Sequence, residues 1–175
     1  MIIGVTGTNG SGKGTVVDYL VTKGFTHYSA RDFIAEEIKR RSLEENRDTL
    51  RQVANDLRQK HGPAYIVESL YQRAEERGGD AVIESVRNVG EAAFLKEHGA
   101  ALVATDASRQ LRYERIVLRG SATDHISYEK FCEQEDRELD APDPWDMSVF
   151  GVMQMADYTI MNIGMSGLMT AQDQL

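Results

Sequence analysis

The chain is short of cysteine, of histidine at useful spacing, of long apolar runs and of net positive charge, and each shortage removes a class of explanation. Its one cysteine, Cys132, has no partner for an internal disulfide, which fits a reducing compartment. Cys132 lies in a charged stretch, Glu129 to Glu138, that reads as helix, so a half-buried thiol is expected there and not a nucleophile. His27, His61, His98 and His125 are scattered without the spacing of a metal site, and none is assigned a role. No apolar stretch approaches the roughly 18 residues that a membrane-spanning helix needs. The opening Met1-Ile2-Ile3-Gly4-Val5 has no basic flank and runs directly into a glycine-rich turn, unlike a secretory signal. A cytoplasmic protein without a membrane partner is expected. The net charge of −8 argues against a nucleic-acid surface, because phosphate backbones are held by clustered positive charge. There is no internal repeat, low-complexity tract or linker, and 175 residues suit one well-buried domain, spanning 1–175, better than two.

What is present is the balance of a globular protein, 41% hydrophobic and 27% charged. Among the basic residues 14 are arginine and 6 lysine. The planar arginine fork pairs bidentately with phosphate oxygens, so local gathering of anions is one reading and ordinary solvated helix faces the other. Short apolar runs alternate with helical patterns. Strands are expected at 2–6, 25–29, 81–85, 101–106 and 158–161, several nearly continuous in apolar residues, as for parallel strands covered on both faces. A helix over 13–23 carries Val16, Val17, Leu20 and Val21 and stops at Gly24. One over 47–60 places Leu50, Val53, Ala54 and Leu57 on one face. Others start near Pro63 and end at Gly78-Gly79, span 88–98 before Gly99, and span 108–119 before Gly120. This alternation implies right-handed crossovers and an open five-stranded parallel α/β sheet with helices on both faces. Ligands of such a sheet sit beyond the carboxyl ends of its strands.

After the first strand comes Gly7-Thr8-Asn9-Gly10-Ser11-Gly12-Lys13-Gly14-Thr15. Gly7, Gly12 and Lys13 satisfy G-x-x-x-x-G-K, with the Thr15 hydroxyl two places on. Glycines let successive N–H groups turn inward on a phosphate, and the helix that follows adds its positive end. Lys13 supplies a mobile charge for the β- and γ-phosphates. A chance glycine-rich turn is disfavoured because a strand precedes the loop and an amphipathic helix follows it. The dinucleotide pattern G-x-G-x-x-G fails at Thr15, which disfavours a nicotinamide enzyme.

Over nearly its whole length the chain resembles the P-loop nucleoside monophosphate kinases, adenylate kinase in particular, and the related dephospho-coenzyme A kinases. The segment 10–15, with Gly14 after the lysine, is similar to the adenylate-kinase loop, where dephospho-coenzyme A kinases usually carry serine or threonine. Ser29-Ala30-Arg31-Asp32 falls where the family opens its acceptor-binding helices, an insert expected over about 31–78. Arg31 replaces a glycine there. Ala35 stands where an acceptor arginine is usual, and Arg40 and Arg41 are nearby substitutes. Glu84-Ser85-Val86-Arg87 is similar to the segment whose acid supports magnesium and whose arginine grips the acceptor phosphate. Arg112-Tyr-Glu-Arg115-Ile-Val-Leu-Arg119-Gly120 resembles the helix leading to a mobile lid, here expected over about 120–139, with Arg137 as its inward arginine. Ala156-Asp157-Tyr158-Thr-Ile-Met-Asn162 is similar to the terminal strand of dephospho-coenzyme A kinases and of a group of prokaryotic kinase-like proteins of uncertain substrate.

The resemblance implies a three-layer P-loop kinase fold, ATP and Mg²⁺ as cofactors, and transfer of the γ-phosphate to a small nucleotide, by a monomer or homodimer. ATP falls to Gly7, Asn9, Gly10, Ser11, Gly12, Lys13, Gly14 and Thr15, magnesium to Thr15 and Glu84. The acceptor falls to Arg31, Asp32, Arg41, Arg87 and Arg137, and the transferring group to Lys13, Arg115 and Arg119. Asp32 orients the acceptor or is a helix N-cap. Arg115 approaches the phosphoryl group or is a solvated partner of Glu114. The polar stretch 120–126 is a hinged closure or a passive loop. Two rivals stand beside monophosphate transfer: phosphorylation of dephospho-coenzyme A at its 3′-hydroxyl, and a non-enzymatic nucleotide-dependent switch. A switch calls for a base-reading or switch motif, and none is seen.

Overall fold

A computed structural model describes residues 1–120, 126–139 and 143–163. Five strands, β1 (Ile2–Gly7), β2 (Thr26–Ser29), β3 (Ala81–Glu84), β4 (Ala101–Asp106) and β5 (Tyr158–Met161), form one sheet in the order β2-β3-β1-β4-β5. Every pairing is parallel. The register sets Val5 opposite Glu84 on one side and Gly7 opposite Thr105 on the other, so the carboxyl ends of the three central strands open into one crevice.

Side chains alternate across this sheet, and each face finds its own cover. Ile3, Val5, Val82 and Val103 pack against Val16, Val17 and Leu20 of α1 (Lys13–Thr22). The opposite face carries α2 (Ala30–Arg40), α3 (Arg47–His61), α4 (Tyr65–Arg77) and α5 (Val89–Glu97) through a larger core that includes Ile38, Val53, Ile66, Leu70, Ile83 and Leu95. Because the helix after β1 and the helix after β3 lie on opposite faces, the gap between these two strands is a topological switch point, where α/β sheets bind ligands.

The helices start where local chemistry stops the preceding chain. Ser29 caps α2 by accepting the Asp32 N–H at 3.1 Å, and Asn46 caps α3 through the Thr49 N–H at 2.9 Å. Asn88 and Glu91 form a reciprocal capping box at the head of α5. Asp32 is therefore not the N-cap: it sits in the first turn, where a carboxylate suits the helix dipole. Helices α6 (Arg109–Arg119) and α7 (Tyr128–Leu139) follow β4, and α8 (Val149–Gln154) precedes β5. The six-residue α8 has too few positions to show a period, and the sequence does not announce it. Of the expected hinge at 120–126, residues 121–125 lie outside the described residues. Among the described residues no helix is long and apolar enough to cross a membrane, and Cys132 is half-buried as expected.

Candidate phosphate-binding site

The loop between β1 and α1 is shaped by backbone that only glycine tolerates at two points. Gly12 has φ +104°, and a Cβ there would stand 2.2 Å from Asn162 Nδ2. Gly10 has φ +79°, and a Cβ would lie 2.5 Å from the Arg112 carbonyl oxygen. The close approaches come from structures that hold the loop. Asn162 Nδ2 donates to the Ser11 carbonyl at 3.2 Å, while Asn162 Oδ1 accepts from Arg115 Nη2 at 2.8 Å. Arg115 Nη1 donates to the Gly10 carbonyl at 3.3 Å. Ser11 Oγ points toward the sheet, bonded to the Thr8 carbonyl and to Thr105 Oγ1. No side chain caps α1, and no acidic residue stands in its first turn, which leaves its positive end open to an anion. Asn162→Ala is expected to lower stability by about 1–3 kcal/mol, since it leaves a buried carbonyl and a guanidinium short of a partner. Urea denaturation checks this, and an unchanged midpoint would show that the bridge does not hold the loop.

Lys13 is buried, and its Nζ donates to the carbonyls of Gly7 and Thr8, both at 2.9 Å. Burial first, then the positive field of Arg87 and, more weakly, of Arg119, pushes the ammonium down to about 7, against an opposing pull from Glu84. An arriving polyphosphate brings the negative charge that this cation lacks. Glu84, at the end of β3, accepts from His27 Nε2 at 3.1 Å. Burial works against its ionisation, but the His27 hydrogen bond and the Lys13 charge hold its carboxyl below the usual range. The chain then turns through Ser85, a non-glycine residue at φ 70°, with the N–H groups of Ser85 and Val86 both bonded to the Val5 carbonyl. Such left-handed backbone is uncommon outside glycine, and here it redirects the chain at the mouth of the crevice.

One cavity of about 400 Å³ joins this loop to the helices α2 and α3. Its floor includes Asn9, Gly10, Gly12, Lys13, Gly14 and Thr15, and its far wall includes the apolar Ala30, Ile34, Leu50 and Ala54. Seven of the chain's 14 arginines line it: Arg31, Arg47, Arg51, Arg58, Arg87, Arg115 and Arg119. The structure thus brings Arg31, Glu84, Arg87, Arg115, Arg119 and Thr15 together with the loop around one cavity. Gly7 and Ser11 lie behind the loop surface. Asp32 is exposed and off the cavity wall. Arg41 is tied to Glu37 and Asp56, each at 2.6 Å, and does not reach the cavity. Arg137 is not the inward residue of α7, since it faces outward to Asp48 at 3.0 Å. The inward residues are Phe131, Gln134, Glu135 and Glu138. Glu135 pairs with the buried Arg112, and Glu138 pairs with Arg47 and Arg87, so α7 is fastened to the body.

Arg47, Arg51 and Arg58 are functional candidates that the sequence reading missed. They lie on one stripe of α3 with Leu50 and Ala54, and the signal was available as arginines spaced at four and seven on the apolar side of that helix.

A strand, a glycine-rich loop carrying a buried lysine, and a helix, set in a five-stranded parallel sheet, define a P-loop, kinase-like nucleotide-binding domain. Residues 3–139 match the family described as AAA domain, and the UPF0200 protein of Methanococcus vannielii is 30% identical over 165 residues, covering 92% of this chain and 86% of that protein. The chain belongs to this AAA domain family and to the UPF0200 proteins. Among solved structures, TT1252 from Thermus thermophilus superposes with a TM-score of 0.64 at 18% identity, over 99% of this chain and 95% of that one. Shikimate kinase from Bacteroides thetaiotaomicron does so with a TM-score of 0.62 at 11% identity, over 99% and 97%. These likenesses show the fold.

Proposed function

We propose that the protein is an ATP-dependent phosphotransferase that moves the γ-phosphate to a nucleoside monophosphate. The observation that carries this reading is the cavity that joins the phosphate loop to an arginine-rich wall with an apolar patch. The loop side suits ATP, with Gly10, Gly12, Gly14 and Lys13 on the phosphates. The far side suits a second nucleotide, its phosphate among Arg31, Arg87 and the α3 arginines and its base against Ile34, Leu50 and Ala54. Transfer between two phosphates needs alignment and charge neutralisation more than proton removal, because the acceptor is already an anion at neutral pH. That fits a cavity whose only wall carboxylates among the described residues are Glu84 and Glu138. It also leaves Asp32 without a required role. In this reading Lys13 and Arg119, both on the cavity wall, supply charge to the transferring group, while Arg115 holds the loop through Gly10 and Asn162.

Thr15 and Glu84 both stand on the cavity wall and are the residues that would hold Mg²⁺. The ion keeps most of its shell as water and phosphate oxygens in such sites, and when bound it neutralises charge on the β- and γ-phosphates.

The terminal strand that is similar to dephospho-coenzyme A kinases has a structural use here. Asp157 accepts from the Leu102 N–H at 2.8 Å and from Lys96 Nζ at 2.5 Å, and Asn162 bridges the loop to Arg115. Its resemblance therefore speaks to support of the loop and not to the acceptor. The experiment is product formation with ATP and magnesium from each ribo- and deoxyribonucleoside monophosphate, with dephospho-coenzyme A and shikimate as hydroxyl acceptors at matched concentration. At least one monophosphate is expected to exceed both hydroxyl acceptors by an order of magnitude or more. Turnover of a hydroxyl acceptor alone overturns the reading. ATP binding without any product leaves the switch in its place.

A further inference from the structure

We infer that Arg47, Arg58 and Arg87 form the subsite for the acceptor's phosphate, and that the Glu138 carboxylate occupies this subsite until the ligand displaces it. The inference rests on the monophosphate reading above and names the residues of its acceptor site. Arg47 grips Glu138 as a two-pronged fork, Nε to Oε1 at 2.9 Å and Nη2 to Oε2 at 3.0 Å. Arg87 Nη1 adds a third contact to Oε2 at 3.2 Å. Fork-on-carboxylate and fork-on-phosphate are the same geometry, so the position that holds Glu138 is shaped for a tetrahedral oxyanion. The two arginines come from the head of α3 and the carboxyl end of β3, and Glu138 lines the same cavity from α7.

A second observation is independent of Glu138. Arg58 is 2% exposed and lines the cavity. Its Nε is bound to Glu91 at 2.8 Å, but its buried Nη1 has no hydrogen-bond partner. Guanidinium N–H groups removed from water are rarely left unpaired, which points to an acceptor atom that arrives with a ligand. Charge agrees. Within the cluster three guanidinium groups face two carboxylates, Glu91 and Glu138, leaving one positive charge. Exchange of Glu138 for a phosphate dianion brings the cluster to neutrality.

If Glu138 is only a permanent tie for α7, neutralising it gives an anion no more than the modest gain of one negative charge removed, and loosening the tie while keeping the charge, as in Glu138→Asp, gives nothing. If it stands in the ligand's place, neutralising it frees the subsite. Apparent affinity is reduced by the fraction of molecules in which the subsite is free. Glu138→Asp therefore separates the two cases, because it frees the arginines without changing the charge. The test is calorimetric titration of AMP, CMP, GMP, UMP and inorganic phosphate into the full chain, with the loop saturated by a non-hydrolysable ATP analogue. Wild type is compared with Glu138→Gln and with Arg47→Met. Glu138→Gln is expected to bind at least one monophosphate roughly tenfold tighter than wild type, and Arg47→Met to bind it more weakly. Unchanged or weaker binding by Glu138→Gln overturns the inference. Glu138→Asp carries the test whether or not that variant folds, since its shorter carboxylate reaches the arginines poorly. Severalfold tighter binding supports the displacement, and equal or weaker binding refutes it. Monophosphates that wild type turns over but Glu138→Gln binds no better refute this inference alone. If no protein of the set binds any monophosphate, the acceptor reading falls with it.

Discussion

Lys13→Ala is expected to lower kcat/KM of phosphoryl transfer by about two to three orders of magnitude, the scale seen when one donor to a developing charge is removed. The lysine sits at the head of α1 under the loop, where its ammonium is a buried cation on the cavity wall. The effect should fall on turnover and not on the fold. Lys13 contributes two hydrogen bonds to loop carbonyls, those of Gly7 and Thr8, and no apolar packing to the cluster of Ile3, Val5, Val16, Val17 and Leu20. Coupled-assay kinetics and far-ultraviolet circular dichroism on the same preparation check both halves. A variant with parental turnover would mean that the loop does not serve transfer. The same variant should also lose much of its affinity for ATP, because the charge that burial and Arg87 suppress in the empty site is the charge the polyphosphate restores.

The largest effect on stability is expected from Glu91→Ala. Glu91 is fully buried and serves three donors: Arg58 Nε at 2.8 Å, the Arg87 N–H at 3.0 Å and the Asn88 N–H at 3.1 Å. Truncation leaves the buried Arg58 charge unpaired and opens the head of α5. Breaking a buried pair from one side costs about 3–5 kcal/mol, which for a domain of this size lowers Tm by roughly 10 °C. Differential scanning calorimetry reads this directly. Glu91→Gln, which keeps an oxygen for the backbone N–H groups, should lose less. A fall of under about 2 °C for Glu91→Ala would show that Arg58 finds another partner. Because the Arg87 N–H is bound to the same carboxylate, the variant should disturb the Arg87 side of the cavity more than the loop side.

The residues differ in how far they could be read without a structure. The phosphate loop was legible because its chemistry is contained in nine consecutive residues, and the loop with its flanking strand and helix appears as expected. Three strands, β1, β3 and β4, were legible as nearly continuous apolar runs, as parallel strands covered on both faces are, and the edge strands β2 and β5 from their place in the alternation; Ala101–Asp106 and Tyr158–Met161 have the expected bounds. The span of α5 was legible to within a residue at each end, while its capping box of Asn88 and Glu91 emerged only with the structure.

The arginines divide differently. Arg41 stands just past the end of α2 and Arg58 on α3, yet one is held at the surface by Glu37 and Asp56 while the other is buried against Glu91. Arg137 and Glu138 are neighbours in sequence, and the turn of about 100° between consecutive helical residues sends one to solvent and the other into the cavity. Periodicity locates a helix's apolar face, but not which neighbouring element supplies the counter-charge.

By itself, then, the sequence determined the strand–loop–helix unit, the parallel α/β order and the glycine stops of the helices, because each depends on a pattern within a short stretch of chain. Only the tertiary structure decided which arginines face the cavity, that Glu138 stands among them, and that Asn162 braces a loop 151 positions away. Those pairings depend on strand register and helix rotation, and a carboxylate or amide carries no local mark of the partner that long-range packing will bring to it.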